Sequence, residues 1–416
     1  MANEVIEKGR RAKKASILMN MKTTDEKNKA LAAISRQLQM DAENIIKANR
    51  LDLQQGADIG LSTAVLDRIM LNETRIQAMC EAIQLLARLP DPVGETLENI
   101  EKENGLQIVK KRVPLGVIGM IYEARPNVTI DAATLALKTG NAILLRGSSS
   151  AKHSNIALVA SIHTALAQVN FPLDAVLLIE DTSRETAKSL FHLNEFLDVL
   201  IPRGGKDLID TVVREASVPV LETGAGNCHI FIDDTAPFKI VCDIIQNAKT
   251  QRPSVCNAVE SLVVHRQFLQ QYGSEFFAFL RELSITIYGD EVVCELCEQA
   301  IPASETHYAE EFLALSLSIK TVDSVTQAIE HIQRYSTKHS EAIITMTQAH
   351  ADLFLTMIDA AAVYHNASTR FTDGFEFGYG AEVGISTQKL HARGPMGLPA
   401  LTSTKYYIYG NGQIRS

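Results

Sequence analysis

Apolar residues recur at helical spacing through Ala30–Leu38 and Ile76–Leu86, which predicts a helical region over the first hundred positions. The pattern changes near Val113. Short β-branched runs there predict strands at Gly116–Tyr122, Ala142–Leu145, Ala175–Ile179, Phe196–Ile201 and Val218–Leu221. Amphipathic stretches such as Asn155–Ala167 and Lys206–Arg214 fill the gaps as helices. A second series starts near Asn227, with strands expected at His229–Ile232, Val259–Val264, Ile285–Tyr288, Leu315–Ile319, Ala342–Thr345 and Ala362–His365. Strand–helix alternation of this kind implies parallel sheets with helices on both faces. The expectation is therefore two α/β domains joined near residues 224–227. Lys405–Tyr409 alternates polar and aromatic side chains like an edge strand, a form that adds to a neighbouring sheet in an oligomer.

Composition narrows the class. A chain of 416 residues has room for two sizeable cores, and 46% hydrophobic with 21% charged residues is the balance of a soluble globular protein. No apolar run approaches the roughly 18–20 residues needed to span a bilayer. Met1–Ala15 is charged and lacks the apolar segment of a signal peptide, so the cytoplasm is the expected compartment. A net charge of −9 argues against nucleic acid as a partner. The basic cluster Lys8–Lys14 reads as the solvated face of a helix. Six cysteines show no disulfide spacing, and the Cys294/Cys297 pair, expected on a helix, has no second ligand pair to complete a zinc site.

Cys256 lies in the polar loop Gln251–Ala258, between the predicted helix Phe238–Lys249 and a strand. By its local sequence alone an inert buried thiol is the favoured reading over a nucleophile, since a reactive thiolate needs a nearby cation or helix N-terminus. Glu222 ends a predicted strand 34 residues earlier (256 − 222), where α/β proteins place site residues. Asn127 follows another strand, behind the rigid Pro126. Its amide is an oxyanion donor or, taken alone, the N-cap of the helical run Thr129–Leu137. The strand-to-helix loops Leu145–Ser150 and Ile201–Lys206 are glycine-containing turns of the kind that cradle phosphate, although neither is a GxGxxG.

Arg112–Ile118, Asn127, Arg146, Gly204–Gly205, Glu222–Gly224 and Cys256 together resemble the aldehyde dehydrogenase superfamily in order and spacing. Within it, Val322–Ile343, with His331 and His339, resembles the signature of the gamma-glutamyl phosphate reductase family. Asn366–Phe371, Gly380–Thr387 and His391–Pro395 agree with it. The resemblance implies an aldehyde dehydrogenase-like α/β fold of two doubly wound parallel-sheet domains plus a small β oligomerisation element. Residues 1–226 would hold the N-terminal helices and the dinucleotide-binding domain, with 101–115 contributing an oligomerisation hairpin; 227–395 would be the catalytic domain and 396–416 an oligomerisation strand.

It also implies NADPH-dependent reduction of L-glutamyl 5-phosphate to glutamate 5-semialdehyde and phosphate, in proline biosynthesis, by a homo-oligomer in transient contact with glutamate 5-kinase. Cys256 takes the nucleophile's place, Asn127 the oxyanion donor's and Glu222 the general base's. Arg146, Gly147, Ser148, Ser149, Gly204, Gly205 and Glu311 take cofactor positions; Glu123, Arg125 and Arg370 are substrate candidates by loop position, and no metal is implied. Without the resemblance, both histidines read as surface residues of amphipathic helices. Ser149 stands where many NAD-dependent members carry a ribose-binding glutamate, and this substitution favours NADPH. Ser148 stands where relatives carry a second glycine. A hydrolytic or CoA-acylating aldehyde dehydrogenase, or a non-catalytic scaffold that docks a kinase, are the competing expectations.

Overall fold

The computed structural model describes residues 2–415, which form two compact units. Among the described residues, the first comprises 2–223, Gly378–Gly384 and 396–415; the second comprises Gly224–Phe377 and Ile385–Pro395. The expected join at 226/227 thus falls at 223/224, and the stretch expected as one catalytic block is interrupted. Gly378–Gly384 belongs with the first unit because Val383 and Gly384 exchange backbone hydrogen bonds with Met396, and because the absent side chain of Gly380 leaves room for Leu89.

In the first unit the parallel sheet has the order Val176–Leu178, Ala142–Gly147, Val117–Tyr122, Val199–Arg203. Val117–Tyr122 is buried at every position, as a central strand covered on both faces must be. The helices Thr24–Met40, Ala42–Asp58 and Glu73–Arg88 form the N-terminal layer. The first of these opens with a capping box between Thr23 and Glu26. Lys27, 2% exposed, forms an ion pair with Asp91 beneath that layer. The basic cluster is not simply solvated. On the helix Ala2–Met19, Lys8 donates to the carbonyl of Leu178 at 2.6 Å, Arg11 pairs with Asp174, and Lys13 pairs with Asp198, so these cations fasten the helix to the sheet.

Val218–Leu221 forms no strand, only an isolated bridge between Leu200 and Val220. Pro219 has no N–H to contribute to a ladder, which explains the loss. A separate antiparallel sheet joins Thr96–Glu101, Gln107–Pro114 and Thr402–Tyr409. The hairpin expected within 101–115 begins earlier, at Thr96; that strand is exposed at all six positions, so it carries no apolar alternation to read.

The second unit is a seven-stranded parallel sheet. Its order is Ile301–Pro302, Thr286–Gly289, Ser316–Val322, Val259–His265, Cys228–Ile232, Ser340–Ile344, Ala362–His365. Two apolar clusters cover it: one around Ile230, Leu262, Phe268 and Phe276, the other around Phe231, Val263, Ile332 and Phe354. Alternate residues of one strand serve opposite clusters, the mark of a doubly wound sheet.

Candidate active site

Cys256 sits in a turn between the helix Phe238–Thr250 and the strand Val259–His265, half-buried and in no disulfide. Its loop is held from three sides. Cys228 Sγ lies 3.2 Å from the Cys256 carbonyl oxygen and 3.7 Å from Nδ1 of the fully buried His339. Asn257 donates to the carbonyl of Thr372 at 2.9 Å, and its own carbonyl accepts from Thr369 at 2.8 Å. The Arg370 guanidinium donates to the side-chain oxygens of Asn257 and Gln251. Burial lowers the pKa of Arg370, while Asp373 and the nearby Cys256 act to raise it. A cation coupled to the thiol in this way is the setting in which cysteines ionise.

Gly226 completes this arrangement. A Cβ there would lie 1.4 Å from the Cys256 carbonyl oxygen, so only glycine lets the two backbones approach. The Gly226 N–H donates to Glu311 at 2.7 Å. The Glu311 carboxylate, expected at the nicotinamide ribose, is thus engaged with Gly226, which packs against the Cys256 backbone. Beneath the loop, Lys249 and Glu260, both fully buried, pair at 2.6 Å, and Lys249 also donates to the Val259 carbonyl.

The reading of His331 and His339 as surface histidines is corrected. His339 is 0% exposed. His331 lies edge-on to His229 and Tyr308, and burial, then His229, lowers its pKa to about 3. Helical spacing alone does not reveal this, because Tyr308 and His229, unlike Tyr335 one turn along the same helix, come from distant parts of the chain.

In the first unit Asn127 is the first residue of the helix Asn127–Lys138, and Pro126 is its cap, so the N-cap reading of Asn127 is replaced. Its amide nitrogen donates to Asp131 at 3.0 Å, one turn along. Glu222 is half-buried, and burial, with a smaller contribution from Asp210, raises its pKa.

The cofactor positions divide into two loops. In one, Arg146 donates through Nη2 to the carbonyls of Thr182 and Ser183, and its buried Nε–H has no acceptor among the described residues. Gly147 leaves room for the Asn155 amide. Ser148 accepts from the Ala124 N–H at 3.1 Å and bonds Ser150 at 2.6 Å, so the serine replacing a glycine ties this loop to the Asn127 loop. Ser149 is exposed. The N–H groups of His153 and Ser154, which open the following helix, are already taken by Asp52. In the other loop, Gly205 caps the helix Lys206–Glu215 and its N–H donates to Glu123 at 2.8 Å. Glu123 lies so close to Gly204 that a Cβ there would come within 2.6 Å of its carboxylate. This substrate candidate is therefore placed on the cofactor loop. Arg125 instead lines a cavity with Asn127, Asp131 and Arg203.

Sequence reasoning missed Cys228, Gly226 and Asn257 around the nucleophile. It also missed Asp131, although its i+4 spacing from Asn127 was a usable signal. Cys294 closes a turn by donating to the Gly289 carbonyl at 3.4 Å.

The two parallel-sheet units, with Cys256 on one and the glycine-containing strand-to-helix turns on the other, are those of an aldehyde dehydrogenase-like protein, and the model of the aldehyde dehydrogenase family matches residues 1–291. The chain is 60% identical over 413 residues to gamma-glutamyl phosphate reductase of Oceanobacillus iheyensis, covering 99% of this chain and 100% of that one. It is 61% identical, with the same coverage, to the reductase of that name from Bacillus subtilis. The crystal structure of gamma-glutamyl phosphate reductase from Thermotoga maritima superposes with a TM-score of 0.97 at 46% identity, covering 99% of this chain and 100% of that one. The chain belongs to the aldehyde dehydrogenase family and, within it, to the gamma-glutamyl phosphate reductases.

Proposed function

We propose that this protein reduces L-glutamyl 5-phosphate to L-glutamate 5-semialdehyde and phosphate with NADPH, through a thioester on Cys256, as a step of proline biosynthesis. The observation that carries the reading is the Cys256 loop, packed against Gly226 and coupled to Arg370, in a chain related over its full length to reductases of this name. The Cys256 thiolate attacks the acyl carbonyl, and its sulfur–carbon bond forms as the carbonyl electrons move onto oxygen. Asn127 and the backbone N–H of Cys256 are the proposed donors to that oxyanion; one such donor is worth about 2.7–4 kcal/mol of barrier. The oxyanion collapses, the carbon–oxygen bond to phosphate breaks, and a thioester remains. When bound, NADPH supplies the hydride that reduces this thioester. Collapse of the resulting thiohemiacetal releases the aldehyde and returns the thiolate.

Burial raises the pKa of Glu222, and in a reductase this carboxyl has no water to activate. Its role in this scheme is proton exchange with the Cys256 thiol. The preference for NADPH rests on Ser149, where an acid would repel a 2′-phosphate, with Arg146 and Lys152 on the same loop. The orphaned Nε–H of Arg146 and the close-packed Gly147 suit an anionic dinucleotide. Because Asp52 already occupies the helix N–H groups, the 2′-phosphate depends on these side chains. Gly204 and Gly205 are assigned to the pyrophosphate, Glu311 to the nicotinamide ribose as well as the loop, and Glu123, Arg125 and Arg370 to the glutamyl group.

The protein is proposed to be cytoplasmic; no helix among the described residues is long and apolar enough to cross a membrane. Tyr406, Ile408 and Tyr409 are exposed on the strand Thr402–Tyr409, which supports a homo-oligomer joined through that sheet. Ready hydrolysis of acyl phosphates favours a transient contact with the kinase that makes the substrate. The deciding assay is the reverse reaction, NADP+ reduction by glutamate semialdehyde. It is expected to require phosphate and to vanish in Cys256→Ala. Turnover without phosphate points to a hydrolytic or CoA-acylating dehydrogenase, and an active Cys256→Ala removes the thioester mechanism.

A further inference from the structure

Within the first unit, a cavity of about 60 Å³ is lined by Arg125, Asn127, Asp131, Arg203 and Glu382, together with apolar residues that include Met120 and Val383. Two guanidiniums and two carboxylates around one small space, with the Asn127 amide among them, is an unusual lining for a cavity. Asp131 shares a helix face with Asn127, one turn on, and their side chains meet at 3.0 Å. Arg203 ends the strand Val199–Arg203, and its guanidinium makes no ion pair or side-chain hydrogen bond among the described residues. Burial pushes the Asp131 carboxyl up to about 6, while the Asn127 amide and Arg203 act in the opposite direction. The site therefore holds a carboxylate short of positive charge and a guanidinium short of a bound anion, side by side.

We propose that this cavity is the subsite for the amino-acid head of the substrate, with Asp131 receiving the α-ammonium and Arg203 the α-carboxylate. The assignment rests on the reduction reading, in which Asn127 addresses the reacting carbonyl. The geometry follows from that role. Side chains at i and i+4 of a helix lie about 5–6 Å apart at Cβ, a span that the two methylenes between the reacting carbonyl carbon and the α-carbon, with the carbonyl oxygen and the α-nitrogen at their ends, bridge. One amide N–H of Asn127 is spent on Asp131 and the other remains for the oxyanion. Arg203, a bidentate donor, matches a carboxylate better than a lysine would. An α-amino acid head is a zwitterion, and this lining pairs each of its charges with an opposite one.

The test compares kcat/KM for L-glutamate 5-semialdehyde and two analogues in the phosphate-dependent reverse reaction. One analogue, 5-oxopentanoate, lacks the amino group; the other, 4-aminobutanal, lacks the carboxylate. The wild-type enzyme is expected to prefer the natural compound over both. Asp131→Asn is expected to reduce its preference over 5-oxopentanoate by about 10- to 100-fold, and Arg203→Gln its preference over 4-aminobutanal by a similar factor, the range of a hydrogen bond to a charged group. Ratios cancel any general damage to Asn127 or to folding, because such damage falls on both compounds alike. A wild-type enzyme with no preference, or variants that keep the wild-type ratios, overturns the subsite. A wild-type enzyme that turns over none of the three compounds overturns the reduction reading instead. Should one variant fail to fold, the other ratio still decides, since each charge is tested separately.

Discussion

Replacing Gly226 with alanine tests how tightly Cys256, the proposed nucleophile, is positioned. The new Cβ would lie 1.4 Å from the Cys256 carbonyl oxygen, 2.3 Å from its carbon and 2.7 Å from its Cα. Gly226 is not among the positive-φ glycines, so the constraint is space rather than torsion. A carbon–oxygen contact of about 3.3 Å requires the two backbones to separate by about 2 Å. Displacing a reacting group by 1 Å costs on the order of 100-fold in rate, so kcat/KM in Gly226→Ala is expected to fall at least 100-fold. Overpacking of this kind also costs about 1–3 kcal/mol of stability, which lowers the unfolding midpoint by a few degrees for a unit of this size. The assay is phosphate-dependent NADP+ reduction, run beside the alkylation rate of Cys256 with Cys256→Ala as the blank. A variant within about threefold of wild type in kcat/KM, with an unchanged midpoint, would refute the close-approach argument.

Two further outcomes follow from buried charge. Lys249→Met strands the fully buried Glu260 carboxylate and is expected to cost about 3–5 kcal/mol in urea titration, most of it recovered in Lys249→Met/Glu260→Gln; equal stability of the single and double variants would contradict this. His331 is neutral in the folded protein down to about pH 3, whereas in the unfolded chain it titrates near its ordinary 6.5. Between these values the unfolded state binds the extra proton, so stability contributed by the neutral ring is present above pH 6.5 and is lost as pH falls towards 3. The slope is up to about 1.4 kcal/mol per pH unit, and His331→Leu is expected to flatten it in urea midpoints measured across that range.

Most strands were legible because both sheets are parallel and buried, and such strands are written as short, nearly continuous apolar runs. Thr96–Glu101 was not, because it is exposed throughout and its pairing with Gln107–Pro114 is a backbone matter. Val218–Leu221 misled because its apolar composition outweighed the missing donor of Pro219. At the site, Cys256, Asn127 and the glycine-containing turns stood out through their order along the chain. Their immediate surroundings did not. Cys228, Thr369 and Arg370 reach the Cys256 loop across more than twenty residues of chain in either direction, and no local pattern announces such contacts.

By itself, then, the sequence determined the class of fold and the family, and it singled out Cys256 as the candidate nucleophile, since periodicity and motif order are properties of the linear chain. Only the tertiary structure decided what each site residue touches. It placed Glu311 on the Gly226 N–H and Glu123 on the Gly205 N–H, buried His339, and set Asp131 beside Asn127 and Arg203. The physical reason is that hydrogen bonding and burial act over a few ångströms in space, and folding brings within that range residues that the sequence keeps far apart.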